Sequence, residues 1–206
     1  MVNNRHNKLH EKSKKLIKSG FIRIIAGKWR GKKLPVLDKE GLRPTTDRNK
    51  ETLFNWLMHD IRDTNCLDCF SGSGSLAFEA LSRSAQHVTL LERDTQAASQ
   101  LQVNLQTLQA NNAQVIATDS LHFLNAQAQH PFDIVFIDPP FMQGLVKPCC
   151  ELLTKNGYLS DNALIYIETE SNLSSDQLPS HWQLIKEKSA GQVRFQLYRA
   201  YTNRNK

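Results

Sequence analysis

The chain has 206 residues, 40% of them hydrophobic, and carries 26 lysines and arginines against 20 acids. That is enough for one large domain with an appendage. No stretch is long and apolar enough to cross a membrane, and the start lacks the apolar run of a secretory signal, so a cytoplasmic, monomeric protein is expected. The charge is uneven: residues 1–50 hold 15 lysines and arginines against 4 acids, whereas residues 51–206 hold 11 against 16. A basic segment on an acidic body favours a polyanionic partner such as RNA or DNA, because binding a phosphate backbone releases counterions. The plainer alternative is a solvated basic tail.

Residues 1–20 are polar and lysine-rich and are expected to be a flexible basic tail. Phe21 to Ile25 is β-like, and Gly27 breaks it. Lys28-Trp29-Arg30-Gly31-Lys32-Lys33 then sets an indole among cations. In nucleic-acid binding, such cations meet phosphates while Trp29 covers a base or sugar. Alternatively, this is a small hairpin with Trp29 packed on the body. Arg43-Pro44-Thr45-Thr46-Asp47-Arg48 leads into a helix, with a Thr or Asp cap followed by Glu51. Leu53, Phe54, Leu57 and Met58 line one face of it. Arg43, Thr45 and Arg48 either close a crevice over substrate phosphate or serve as ordinary capping and a solvated face.

Asn65 to Phe70 reads as a short apolar strand that stops at Ser71-Gly72-Ser73-Gly74 and opens a helix over Ser75 to Ser84. Glycines at this junction let a ligand approach the backbone, and the helix start adds unpaired N–H groups. Gly72-x-Gly74-x-x-Ala77 fits a dinucleotide fingerprint, and also a βα turn with no ligand. Glu92 ends the next strand, His87 to Glu92, at about the spacing of a ribose-binding acid. A nucleoside-containing cofactor is therefore expected. Cys66 and Cys69 form C-x-x-C, but residues three apart on a strand face opposite ways. Cys149 and Cys150 lack neighbouring histidines. Packed free thiols are expected, with no metal.

Asp94 caps a helix running to about Ala110. Strands follow at Ala113 to Ala117 and Phe132 to Ile137, then a helix over Leu145 to Lys155 and a strand over Ala163 to Ile167. Trp182 to Lys188 and Gln192 to Tyr201 flank a Ser189-Ala190-Gly191 turn and read as an antiparallel hairpin. The alternation predicts an α/β, doubly wound sheet with antiparallel content at one edge.

Asp138-Pro139-Pro140-Phe141 follows the fourth strand, at the carboxyl edge where open α/β sheets bind ligands. Two prolines fix the turn and remove two donors. Asp138 and a prolyl carbonyl can converge on an amino group with two hydrogens, and Phe141 offers a face for a planar ring. An aromatic amine is a poor nucleophile. Accepting its hydrogens aims its nitrogen at an electrophilic methyl, and Asp138 can take the proton released.

The Asp68-to-Gly74 turn together with Asp138-Pro139-Pro140-Phe141 resembles class I S-adenosylmethionine-dependent methyltransferases of exocyclic amines. Arg23 to Gly31, Arg43 to Arg48, Glu51 to Leu57 and Ala190 to Val193 are more selective. They are similar to signatures of the RsmD family, the bacterial 16S ribosomal RNA guanine-N2 methyltransferases. The resemblance spans about Phe21 to Tyr201. It implies a Rossmann-like methyltransferase sheet over residues 47–206, and an RNA-binding hairpin extension over 21–46. It further implies methylation of one guanine of 16S ribosomal RNA within small-subunit particles. By position, Asp68, Phe70, Gly72 and Gly74 would shape the methionine end of the S-adenosyl-L-methionine site. Glu92 would hold the ribose, and Asp119 and Ser120 would flank the adenine. Asp138, Pro139 and Phe141 would grip the guanine, while Lys28, Trp29, Arg30, Lys32, Lys33, Arg43 and Arg48 would contact RNA. Cys69, Ser71 and Ala77 depart slightly from the family pattern. Three other readings compete: an amine methyltransferase acting on adenine N6 or a protein glutamine, a non-enzymatic RNA-binding assembly factor, and a nicotinamide-dependent oxidoreductase.

Overall fold

The computed structural model describes residues 20–37, 47–170 and 178–201. A basic hairpin, β1 (Gly20–Arg23) and β2 (Lys33–Val36), precedes helix α1 (Asp47–Trp56). The body then alternates: β3 (Asn65–Asp68), α2 (Ser75–Ser82), β4 (His87–Glu92), α3 (Thr95–Leu108), β5 (Ala113–Ala117), α4 (Ser120–Leu124), β6 (Phe132–Ile137) and α5 (Val146–Lys155). It closes with β7 (Leu159–Glu170), β8 (Trp182–Ala190) and β9 (Val193–Ala200). Seven strands form one sheet in the order β5-β4-β3-β6-β7-β9-β8. The pairs from β5 to β7 are parallel, and β9 runs antiparallel to both β7 and β8.

Strands buried on both faces need apolar residues at successive positions, which is the pattern of Val88 to Leu91 and Ile134 to Ile137. Each face has its own core. Leu53, Phe54 and Leu57, α2, and Leu101, Leu105 and Leu108 of α3 cover one face, where they meet Cys66, Phe136 and Tyr166. Leu124 of α4 and Val146, Cys149, Cys150 and Leu153 of α5 cover the other, against Leu67, Val135 and Ile137. Cys66 and Cys69 fall in opposite cores, and all four cysteines are free and buried. Burial pushes the Cys66 thiol up to about 12, consistent with a packed thiol and not a reactive one.

Three expectations need adjusting. Met58 is 57% exposed, because α1 ends at Trp56 and the chain turns before the helical face would reach it. Helix α4 is short and was hidden among polar residues; Asp119 caps it by accepting from the His122 N–H at 3.0 Å. Strand β7 spans 12 residues, because it pairs with β6 on one side and with β9 on the other. The polar Ser160-Asp161-Asn162 masked its start. Asn162 adopts φ 63°, near a register shift against β6.

Candidate active site

Strands β3 and β6 are adjacent and parallel, with Asp68 opposite Phe136. The Cys69 N–H donates to the Phe136 carbonyl at 3.0 Å. The glycine turn and the Asp138 turn therefore leave one carboxyl edge from neighbouring strands. Glu92 ends β4 and Asp119 follows β5 at the same edge. Four successive strand ends thus carry the acidic residues singled out in the sequence.

The glycine turn is held mostly by backbone contacts. Gly72 and Gly74 both adopt positive φ, 49° and 76°. A β-carbon on Gly74 would lie 2.4 Å from the Phe78 ring and 2.6 Å from Leu101. Gly74 is thus required by helix packing as well as by its backbone conformation. Glu92 bridges two loops: one carboxylate oxygen accepts from the Gly72 N–H at 2.8 Å and the other from the Asp94 N–H at 2.7 Å. The buried Ser120 hydroxyl donates to the Cys69 carbonyl, tying the loop after β5 to the loop after β3. Asp68 is 2% exposed. Desolvation pushes its carboxyl up to about 7. The Phe70 N–H pulls it back, the Glu92 charge raises it, and the Ala77 N–H lowers it. Ala77 is in the first turn of α2, so the Asp68 carboxyl faces the start of that helix. A buried acid beside a second carboxylate gains by admitting a cation.

Past the end of β6, Pro139 is buried, Pro140 is exposed, and the half-buried Phe141 packs against the core that holds Phe136. The Asp138 charge is felt by Tyr166, whose phenol is pushed well up by burial first, then by Glu168 and Asp138. The Tyr166 hydroxyl donates to the Glu168 carboxylate at 3.1 Å. Just beyond, the Met142 N–H donates to Glu170. The end of β7 thus backs the Asp138 turn. The sequence reading missed Tyr166 and Glu168; their signal was a polar pair at even spacing at the end of the apolar run Ala163 to Ile167.

The basic hairpin sits elsewhere. Helix α2 runs from the glycine turn toward the opposite edge, and its 8 residues span about 12 Å. The Lys28 N–H donates to the carbonyl of Ser82, the last residue of α2, at 2.7 Å. The turn carrying Lys28, Arg30 and Lys32 therefore lies at the far end of α2, with all three side chains exposed. Trp29 takes the second of its two expected places, packed on the body, and not the base-covering one. It is 6% exposed within the core, its backbone N–H donates to Ser82 Oγ at 3.0 Å, and the Lys28 ammonium caps its ring at 4.9 Å. Its ring is not available to cover a base. Lys33 is exposed and lies opposite Arg23, nearer the acidic edge. Arg48 is exposed in the first turn of α1. Arg43 and Thr45 lie outside the described residues.

A buried polar network fixes the hairpin. The Glu79 carboxylate accepts from the N–H groups of Ile25 at 2.9 Å and Ala26 at 3.1 Å, and from Arg83 at 2.7 Å. Ser82 Oγ donates to the Ala26 carbonyl at 2.6 Å. A β-carbon on Gly27 would lie 1.9 Å from the Ser82 carbonyl oxygen, so only glycine allows this approach. Lys50, 1% exposed, donates to the Arg23 carbonyl at 2.5 Å and to Ser75 Oγ at 3.2 Å, with Glu79 4.0 Å away. It joins α1, the hairpin and the first residue of the glycine-turn helix. Lys50 shares a helical face with Leu53, Phe54 and Leu57. That spacing, and the lone Glu79 in an apolar helix, were the available sequence signals.

Residues 22–199 match the family described as Conserved hypothetical protein 95. A relative from Escherichia coli (strain K12), called ribosomal RNA small subunit methyltransferase D, is 54% identical over 180 residues. The match covers 87% of this chain and 90% of the relative. The chain belongs to the small-subunit ribosomal RNA methyltransferase D family. A family relative of the same name from Haemophilus influenzae is 55% identical over 182 residues, covering 87% of this chain and 94% of its own. Among solved structures, a putative methyltransferase, yhhF from Escherichia coli, superposes with a TM-score of 0.82 at 52% identity, covering 89% of this chain and 99% of that one. Family membership makes the chain a methyltransferase and excludes the nicotinamide reading.

Proposed function

We propose that this protein transfers a methyl group from S-adenosyl-L-methionine to the N2 amine of one guanine in 16S ribosomal RNA. The observation that carries this reading is the emergence of the glycine turn and the Asp138 turn from adjacent strand ends on one edge. A donor in the first loop and an acceptor in the second are then neighbours.

The residues present fit a cationic sulfonium nucleoside. Asp68, Glu92 and Asp119 ring the edge, and the buried Asp68 is the group whose charged form a nearby cation restores. When bound, the donor supplies an electrophilic methyl carbon on sulfur. Asp68 and the Gly72–Gly74 turn would hold its methionine end, Glu92 its ribose, and Asp119 with Ser120 its adenine. Phe70 is half-buried and closes the wall beside Asp68.

At the acceptor, Asp138 and the Pro139 carbonyl receive the two N2 hydrogens, and Phe141 supports the ring face. This geometry localises the nitrogen lone pair toward the methyl. As the N2–carbon bond formed, the methyl–sulfur bond would break and the donor would leave as a neutral thioether, while Asp138 would take up one N2 proton, so that the product is a neutral secondary amine. A guanine in structured RNA must be turned out to reach this edge, at a cost of a few kcal/mol. Lys28, Arg30, Lys32 and Lys33, with Arg48 and Arg43, would meet flanking phosphates on the small-subunit particle. The protein acts there as a cytoplasmic monomer.

The test supplies the purified protein with labelled donor and, separately, small-subunit particles, naked 16S ribosomal RNA, duplex DNA and ribosomal proteins. Mass spectrometry then maps the product. N2-methylguanine at a single position of the 16S RNA is expected. Label found instead in N6-methyladenine or methylated glutamine would overturn the assignment. Elution as a dimer in gel filtration would overturn the monomer.

A further inference from the structure

The β6–β7 register pairs Phe136 with Tyr166 and Ile137 with Ile167. Carried one residue further, it sets Glu168 beside Asp138, one strand spacing of about 4.8 Å away. Both residues lie near Tyr166: Glu168 accepts its hydroxyl, and the Asp138 charge raises its phenol. Glu168 is 8% exposed, and the Tyr166 hydroxyl orients its carboxylate. A carboxylate offers about four acceptor positions, more than the Tyr166 hydroxyl takes up. The acceptor edge therefore presents two adjacent carboxylates, both acceptor-only when ionised.

Two side-by-side acceptors select their ligand by its donors. Guanine carries N1–H directly beside its N2 amine. Adenine carries a lone pair at N1 beside its N6 amine, and that lone pair would face a carboxylate oxygen without a shared proton. Cytosine likewise places a lone pair at N3 beside N4. Guanine therefore fills this edge, and the other amino bases leave a buried acceptor facing an acceptor.

We infer that Glu168 is a specificity-determining residue that accepts the guanine N1–H while Asp138 holds the N2 amine. This rests on the guanine reading given above and adds to it the group that rejects other amino bases. Tyr166 is a positioning residue that fixes the Glu168 carboxylate.

The experiment uses a 16S ribosomal RNA fragment carrying either guanine or 2-aminopurine at the mapped position. 2-Aminopurine keeps the C2 amine and replaces N1–H with a lone pair. The ratio of kcat/KM for guanine over 2-aminopurine is expected to be about 100-fold or more in the wild type. In Glu168→Gln it should fall to within about 5-fold, because an amide can accept from N1–H or donate to N1. Donor affinity, read by calorimetry, should stay within about 3-fold of the wild type. Tyr166→Phe should lower the ratio by an intermediate amount, and it reads the same quantity should Glu168→Gln fail to fold. The absence of the guanine C6 oxygen from 2-aminopurine is common to all variants and cancels when their ratios are compared. An unchanged ratio in both variants, with guanine still methylated, overturns the role of Glu168 and leaves the guanine reading standing. A wild type that methylates neither fragment while modifying another acceptor overturns the guanine reading itself, and this inference with it.

Discussion

The acidic edge and the basic hairpin are built by different rules. The edge is made of strand ends: Asp94 and Asp119 each cap their own helix, while Glu92 accepts from Gly72 and Ser120 donates to Cys69 across neighbouring loops. The hairpin is held by partners more than fifty positions away, Glu79 and Ser82, through buried hydrogen bonds to its backbone. The hairpin adds these long-range polar anchors to an apolar one, since Ile22, Ile24, Trp29 and Leu34 are buried in the core. The two regions touch through Lys50, which bonds both Arg23 of the hairpin and Ser75 at the start of α2.

Breaking each region separately should give distinct failures. Asp138→Ala should lower methyl transfer by roughly 100- to 10,000-fold and leave donor affinity within about 3-fold, measured by single-turnover assay and calorimetry. A matching loss of donor binding would place Asp138 in the donor site instead. Lys50→Met should destabilise the fold by about 3 kcal/mol, because it strips a buried cation from a network that still contains buried Glu79. Urea denaturation measures this, and protease cleavage near the hairpin should rise in parallel. Burial holds the Lys50 ammonium pKa below its usual value, with Glu79 opposing.

A smaller effect separates the regions by pH. The Asp68 carboxyl is raised to about 7, so its protonated form is the one that folding favours. Its stabilising contribution is complete below pH 4, near the unfolded value, and is lost as pH rises through 7. In Asp68→Asn that loss disappears. The stability difference between variant and wild type should therefore move in the variant's favour by about 2–4 kcal/mol between pH 4 and pH 8. A flat difference would mean that Asp68 is ionised throughout.

The smallest expected effect concerns the hairpin surface. Joint replacement of Lys28, Arg30, Lys32 and Lys33 by glutamine should leave stability within about 0.5 kcal/mol per site. It should reduce the slope of log affinity against log salt for RNA by about 2 to 3. Trp29→Leu should do the reverse, costing about 2 kcal/mol of stability and leaving the slope unchanged, because the ring lies in the core. A Trp29 variant that loses RNA affinity at unchanged stability would restore the stacking role that its burial argues against.

Much of this molecule was legible in its sequence. Strands β4 and β6 were placed at their observed ends, because buried parallel strands write largely apolar runs bounded by turn residues; the half-exposed edge strand β5 was delimited by the polar residues on either side of it. The glycine turn, Asp94 and the Asp138 turn were legible for a related reason: their chemistry is fixed within a few bonds of the chain. Tertiary structure alone decided which way Trp29 faces, how far β7 extends, and that Glu79 and Lys50 are anchors. It also brought the end of β7 alongside the end of β6, from which the Asp138 turn leaves. Each of these depends on a partner brought near by strand order or helix packing. Spacing along the chain carries no record of that distance in space.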